Sequence, residues 1–141
     1  MADVVSTETR SRIMAAVPHR DTKPERVVRR LLHAMGYRFR LHRKDLPGTP
    51  DIVLPKHRVA IFVHGCFWHQ HPECRKARRP SSNCAYWDKK LDENVIRDRR
   101  NLADLESKAW HPMIVWQCEL KDCSSLAESL RLRIEAMNPM R

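Results

Sequence analysis

Val27, Val28, Leu31, Leu32 and Met35 recur at helical spacing, while Arg26, Arg29, Arg30 and His33 fill the opposite face. That pattern predicts an amphipathic helix. Thr22 stands as its N-cap with Glu25 three residues on, the spacing of a capping box, and Gly36 is a fitting C-terminal stop. Ahead of it, residues 7–17, which carry Ile13 and Met14, read as a short helix. Tyr37 to Leu41 alternates as a half-buried strand does, and Pro47-Gly48-Thr49-Pro50 is a turn. Asp51 to Leu54 and Val59 to Val63 read as two buried strands joined by the polar turn Pro55-Lys56-His57-Arg58. Residues 64–86 show no clear period. Trp87 to about Lys108 reads as a long helix, Met113 to Trp116 as a fourth apolar strand and Ser124 to Ala136 as a last amphipathic helix. Helices and strands in this order predict an α/β domain with a mixed sheet covered by helices.

The length of 141 residues fits one domain, 1–141, and no repeat or low-complexity segment divides it. Lys and Arg total 27 against 17 Asp and Glu, a formal net charge of +10. That balance favours a polyanion, nucleic acid or an anionic membrane, as partner. No apolar run approaches the ~18 residues of a membrane span, and the acidic stretch Met1 to Glu8 lacks the apolar core of a signal peptide. Five cysteines, an odd number without an export signal, point to metal ligation rather than a disulfide framework. The three glycines leave no Gly-rich phosphate loop.

Charge and cysteine content direct attention to the aperiodic segment. Cys66, His71 and Cys74 supply three ligands at a spacing workable for tetrahedral zinc, and Cys118, just past the fourth strand, supplies a fourth. Four protein ligands make a closed, structural site that would hold 64–86 together. The competing reading is reduced core cysteines beside surface histidines. Cys84 and Cys123 are left over: either is a candidate for a buried free thiol, and Cys84 is a candidate to compete with Cys74 as a ligand.

Asp51 opens a buried strand directly after a turn, where a carboxylate needs compensation, although an Asp after Pro is commonly just a turn residue. If the two strands pair suitably, His64 at the end of the second meets Asp51 at one end of the sheet. Glu25 either serves the capping box or joins Asp51 in holding Mg²⁺, which takes oxygen ligands. His69 adds an imidazole suited to proton transfer near neutral pH. Asp98 falls on the apolar stripe of Leu91, Val95, Leu102 and Leu105 and so needs a partner, either an arginine or an imidazole whose tautomer it fixes. Phe67-Trp68 and Tyr86-Trp87 either pack the irregular segment or wedge into stacked bases. Arg75, Lys76, Arg78 and Arg79 suit phosphate contacts.

These residues also resemble a known family. Leu46-Pro47-Gly48-Thr49-Pro50-Asp51 is similar to a motif of the very short patch repair (Vsr) DNA mismatch endonucleases. So are Ile61-Phe62-Val63-His64-Gly65-Cys66-Phe67-Trp68-His69-Gln70-His71, Asn94-Val95-Ile96-Arg97-Asp98-Arg99-Arg100 and Ile114-Val115-Trp116-Gln117-Cys118. Thr9-Arg10-Ser11 through Met14 resembles the family's N-terminal arm, and the likeness runs from about residue 7 to residue 120. It implies a restriction-endonuclease-like fold: a central mixed β-sheet flanked by helices, with a structural zinc site. It also implies an endonuclease that nicks one strand next to a T:G mismatch left by 5-methylcytosine deamination, starting very short patch mismatch repair. Residues 1–20 would be a DNA-contacting arm and 64–86 a zinc-stabilised recognition segment.

The resemblance further implies Mg²⁺ on Asp51 and the main-chain carbonyl of Val63. Glu25 and His64 would act through water around the metal, and His69, paired with Asp98, would be the general base. Zn²⁺ falls on Cys66, His71, Cys74 and Cys118. Phe67, Trp68 and Trp87 would intercalate with support from Met14, and Arg75 and Lys76 would contact DNA. The implied partners are mismatched double-stranded DNA and downstream mismatch-repair proteins, with no membrane. The implied setting is a monomer in the bacterial cytoplasm, nucleoid-associated when acting. Two departures stand out: Val63 occupies a familiar Thr position, and Phe62-Val63-His64 replaces the fold's usual Glu-x-Lys. The alternatives are a related restriction-type or structure-specific nickase and a non-catalytic zinc DNA-binding module.

Overall fold

The structure, a computed structural model, describes residues 22–137. The helix expected over 7–17, the arm 1–20 and Met14 lie outside the described residues. Helix α1 (Lys23–Ala34) begins where the pattern placed it: Thr22 Oγ1 accepts the Glu25 amide at 3.4 Å. Pro24 fits the first turn because its missing N–H would have had no helical partner there. Gly36, at φ +86°, turns the chain out of the helix in a conformation that side chains resist. Val28 and Leu32 point into the core.

The next strand is shorter than its alternation suggests. Only Arg40–Leu41 forms β1, pairing antiparallel with β2 (Ile52–Leu54). Tyr37 and Phe39 still pack on the core, but a strand extends only as far as its neighbour offers backbone partners, and β2 is three residues long. A 3₁₀ turn at Pro55–His57, closed by left-handed Arg58 (φ 53°), leads into β3 (Val59–His64). The long helix α2 (Cys84–Ser107) starts three residues earlier than expected. It is followed by β4 (His111–Trp116), a 3₁₀ turn at Gln117–Lys121 and α3 (Cys123–Met137).

The sheet order is β1-β2-β3-β4. β2 and β3 pair antiparallel and β3 and β4 parallel, with Val59 opposite His111 and His64 opposite Trp116. Alternate residues of the two central strands serve opposite faces. Ile52, Leu54, Val59 and Ile61 join Val28, Leu32, Leu126, Leu130 and Ile134 in a core under α1 and α3. Val53, Ala60 and Phe62 join Leu105 and Trp110 in a second core on the α2 side. Each fully buried Val, Leu or Ile contributes about 1.5–3 kcal/mol, so a sheet with both faces covered is a rigid platform. Because β2 runs against β3 and β4 runs with it, the start of β2 and the ends of β3 and β4 share one end of the sheet. Among the described residues no helix is long and apolar enough to cross a membrane.

Candidate active site and Cys/His cluster

Asp51 immediately precedes β2, held by the turn before it. Gly48 in that turn has φ +77°, and a Cβ there would lie 2.7 Å from Asn101 Nδ2 of α2. One carboxylate oxygen of Asp51, Oδ2, accepts the Val63 amide at 2.8 Å, which ties the start of β2 to the end of β3. Burial, then a hydrogen bond with Glu25, pushes its carboxyl up to about 8.

Glu25 does not complete a capping box. Its carboxylate is 2% exposed and turns inward, where Arg29 Nη2 donates to Oε2 at 2.7 Å and His42 Nε2 lies 3.2 Å from both oxygens. The donor atoms of Glu25, His42 and Asp51 all lie within 4.8 Å of one another. Two carboxylates this close, Glu25 buried and Asp51 half-buried, suit a hard cation, which relieves their mutual repulsion and their desolvation.

His64, at the end of β3, is buried, and its Nδ1 has no hydrogen-bond partner among the described residues. Burial and then the neighbouring His69 hold its imidazole down to about 3. His64 and His69 stack with centroids 3.8 Å apart and planes 6° from parallel. His69 Nδ1 lies 2.7 Å from Asp98 Oδ2. Asp98 thus finds an imidazole rather than an arginine across the inward face of α2. The structure brings Glu25, Asp51 and the Val63 amide together in one cluster, and His64, His69 and Asp98 in another.

Cys66, His71, Cys74 and Cys118 form a third cluster, their donor atoms all within 4.8 Å. The edge of a tetrahedron with metal–sulfur bonds of about 2.3 Å is about 3.8 Å. The 3.4 Å separation of Cys118 Sγ and His71 Nδ1 is close to that edge. Donor chemistry and spacing therefore fit a closed, four-coordinate soft cation. Burial pushes the Cys66 thiol up to about 11, and hydrogen bonds, first from the Lys76 backbone, lower that of Cys74. Cys84 and Cys123 stand apart from the cluster and are exposed, so neither is a buried free thiol. Cys84 spends its thiol on the Ser81 carbonyl at 3.2 Å. His71 stacks on Trp116 at 4.2 Å and 11°, and Trp116 meets the His64 ring edge-on at 5.2 Å, so the Cys/His cluster abuts the imidazole pair.

Phe67, Trp68 and Trp87 gather into one aromatic group, with centroids 5.1 to 6.0 Å apart. Trp87 is buried at 4%, while Phe67 and Trp68 are half-buried. Asn94 of α2 anchors the Trp68 carbonyl at 3.0 Å. Arg75, Lys76 and Arg78 are exposed. Arg79, unlike these neighbours, is engaged within the protein. Its guanidinium reaches Gln70 Oε1 at 3.0 Å, Asp88 at 2.8 Å and Asp92 at 2.7 Å. Gln70 in turn donates to the carbonyls of Phe67 and Ala77, so this fork braces the segment from within. His42 and Arg29 are the site residues that sequence reasoning missed; the one available signal was the helical i, i+4 spacing of Glu25 and Arg29.

A mixed sheet with helices on both faces, carrying a carboxylate pair and an imidazole–carboxylate couple at one end, has the restriction-endonuclease-like fold. The catalytic domain of the homing endonuclease I-Bth0305I has the same fold, with a TM-score of 0.55 and 22% identity over 82% of this chain and 96% of that one. The sequence profile of the DNA mismatch endonuclease Vsr family matches residues 2–76. The type II nicking enzyme V.XorIIP of Xanthomonas oryzae pv. oryzae is 52% identical over 93% of this chain and 96% of its own length. DNA mismatch endonuclease Vsr of Escherichia coli K12 is 41% identical over 96% and 86%. The chain belongs to the DNA mismatch endonuclease Vsr family and is a DNA endonuclease.

Proposed function

We propose that this endonuclease nicks one strand of duplex DNA beside a T·G mismatch left by deamination of 5-methylcytosine, in a Mg²⁺-dependent hydrolysis that opens very short patch repair. The observation that carries the reading is the 2.7 Å contact of His69 Nδ1 with Asp98 Oδ2 at the Asp51 end of the sheet. A carboxylate on Nδ1–H fixes the tautomer, leaving Nε2 to take the proton of the attacking water and stabilising the imidazolium that forms. Asp51 and the Val63 carbonyl would hold Mg²⁺, which would supply Lewis-acid neutralisation of the charge that builds on the phosphate. Glu25 and His64 would act through water around the metal. A binding module would need neither Asp51 nor His69.

Cys66, His71, Cys74 and Cys118 would hold structural Zn²⁺, joining the recognition segment to the chain beyond β4. Phe67 and Trp68, resting on buried Trp87, would be the wedge. Unstacking a base step costs a few kcal/mol and is least for a mismatched pair, which gives the wedge its preference. Arg75 and Lys76 contact phosphates. A single strand cut needs one active site, which accords with a monomer, working in the bacterial cytoplasm at the nucleoid and handing its nick to mismatch-repair proteins.

The second reading is a nickase that does not require a mismatch, favoured by the nicking-enzyme name of the 52% identical relative. Labelled duplexes differing only in T·G, T·A or C·G at one position, incubated with and without Mg²⁺, separate the two. Cleavage confined to T·G with Mg²⁺ supports the mismatch reading. Equal cleavage of T·A overturns it in favour of the second.

A further inference from the structure

We propose that His42 is a positioning residue for the catalytic metal: with Arg29 it pins the Glu25 carboxylate beside Asp51, so that the two acids present one preformed oxygen face to the cation. The inference rests on the reading of Asp51 as the metal-binding carboxylate.

His42 lies in a polar stretch, Leu41-His42-Arg43-Lys44, that offers no reason for burial, yet its side chain is 6% exposed. It reaches that position through a left-handed backbone, φ 47°, an uncommon conformation for a residue with a side chain. Two bonds come of it. Its amide donates to the Asp51 carbonyl at 3.1 Å, and its Nε2 lies 3.2 Å from both oxygens of Glu25. An ionised carboxylate only accepts hydrogen bonds, so Nε2 is the donor. His42 therefore joins the backbone at Asp51, beside β2, to the side chain of Glu25, on α1. Arg29, one helical turn beyond Glu25, holds Oε2 from the other side at 2.7 Å. A glutamate three residues into a helix ordinarily turns back to the cap; here two donors draw it inward. Hydrogen bonds that orient a carboxylate around a metal are worth about 10–100-fold in metal affinity.

The test is calorimetric titration of Mg²⁺ alone into the full-length, zinc-loaded chain, beside melting curves and single-turnover nicking at several Mg²⁺ concentrations. His42→Ala is expected to weaken Mg²⁺ binding roughly tenfold or more. Nicking should then recover toward the wild-type rate as Mg²⁺ is raised. His42→Gln, whose amide N–H stands about where Nε2 does, is expected to restore affinity to within roughly threefold. If His42→Ala does not fold, His42→Asn, too short to reach Glu25, takes its place. Asp51→Asn should abolish binding in the same titration.

Unchanged Mg²⁺ affinity in His42→Ala with a lowered melting temperature overturns the inference and leaves His42 a residue of the fold. A Gln variant as weak as Ala overturns it too, since the imidazole would then matter as something other than a donor. Unchanged affinity in Asp51→Asn overturns the metal reading itself, and this inference with it.

Discussion

The rings of His64 and His69 lie face to face, 3.8 Å between centroids and 6° from parallel. Like charges so close oppose each other, and burial alone already disfavours a charged His64, whose imidazole is held down to about 3. Above that value His64 contributes no proton. At Mg²⁺ concentrations that saturate Asp51 and so displace its proton, the acid limb of the single-turnover nicking rate is therefore expected to rise with unit slope in a plot of log rate against pH. A slope of two, one proton from each ring, would refute the assignment.

Asp98→Asn keeps the shape of the side chain and removes its charge. The 2.7 Å contact to His69 makes the expected effect chemical: single-turnover nicking slower by roughly two orders of magnitude or more, within the range for loss of general-base catalysis. Affinity for mismatched duplex should barely change. A large fall in melting temperature with an unchanged rate would show that the pair serves only the fold.

Asp51 gives stability a pH dependence of definite sign. Its carboxyl is raised to about 8 from an ordinary 3.8, so the folded state holds a proton that the unfolded state has released. Stability from this group is present below about 4 and is lost as pH rises through about 8. His64, lowered from 6.5 to about 3, acts oppositely, losing stability as pH falls below about 6.5. The Asp51 effect therefore stands clear of His64 between about 6.5 and 8, where it is worth at most about 2 kcal/mol. The melting temperature of the zinc-loaded chain in Mg²⁺-free buffer should fall across that window. Asp51→Asn should flatten the slope, and its persistence in that variant would remove Asp51 as the cause.

The two metals should be separable by what each holds. A strong chelator that strips the Cys/His cluster is expected to raise backbone hydrogen exchange across 64–86 and to change Trp116 fluorescence, because His71 stacks on that indole at 4.2 Å. Omitting Mg²⁺ alone should stop nicking and leave the exchange pattern intact. Matching losses of protection under both treatments would contradict this division of labour.

Phe67 and Trp68 are half-exposed on a floor of buried Trp87. Phe67→Ala and Trp68→Ala should lower the preference for T·G over T·A more than they lower general binding. The general term is the salt-dependent one that basic residues supply. Competition binding at two salt concentrations measures both, and full selectivity in the double variant would rule out the wedge.

What could be read in the sequence was whatever leaves a periodic or spaced trace. Thr22 and Gly36 bracket α1 because a cap and a stop are local chemistry. Asp98 announced itself by interrupting an apolar stripe, and the Cys/His set by its spacing. What could not be read depends on tertiary placement. The inward turn of Glu25 needs Arg29 and His42 to draw it, and His42 is buried by a left-handed backbone that no pattern encodes. Arg79 looked like its basic neighbours until α2 set Asp88 and Asp92 across from it. The strand after α1 shrank to Arg40–Leu41 because β2 is short, a property of the partner rather than of its own alternation.

The parallel pairing of β3 with β4 bears on how the enzyme comes into being. A parallel neighbour cannot arrive by a hairpin; all of α2 must be made first. A nascent chain that has delivered Asp51, His64 and His69 still lacks the strand that lies beside His64 and the third cysteine of the Cys/His cluster, Cys118. Phe67, Trp68 and Arg75 leave the ribosome well before the Asp51 end of the sheet can close. The end of the sheet that carries Asp51 and His64 is thus completed late in synthesis, only once the chain through Cys118 has been made.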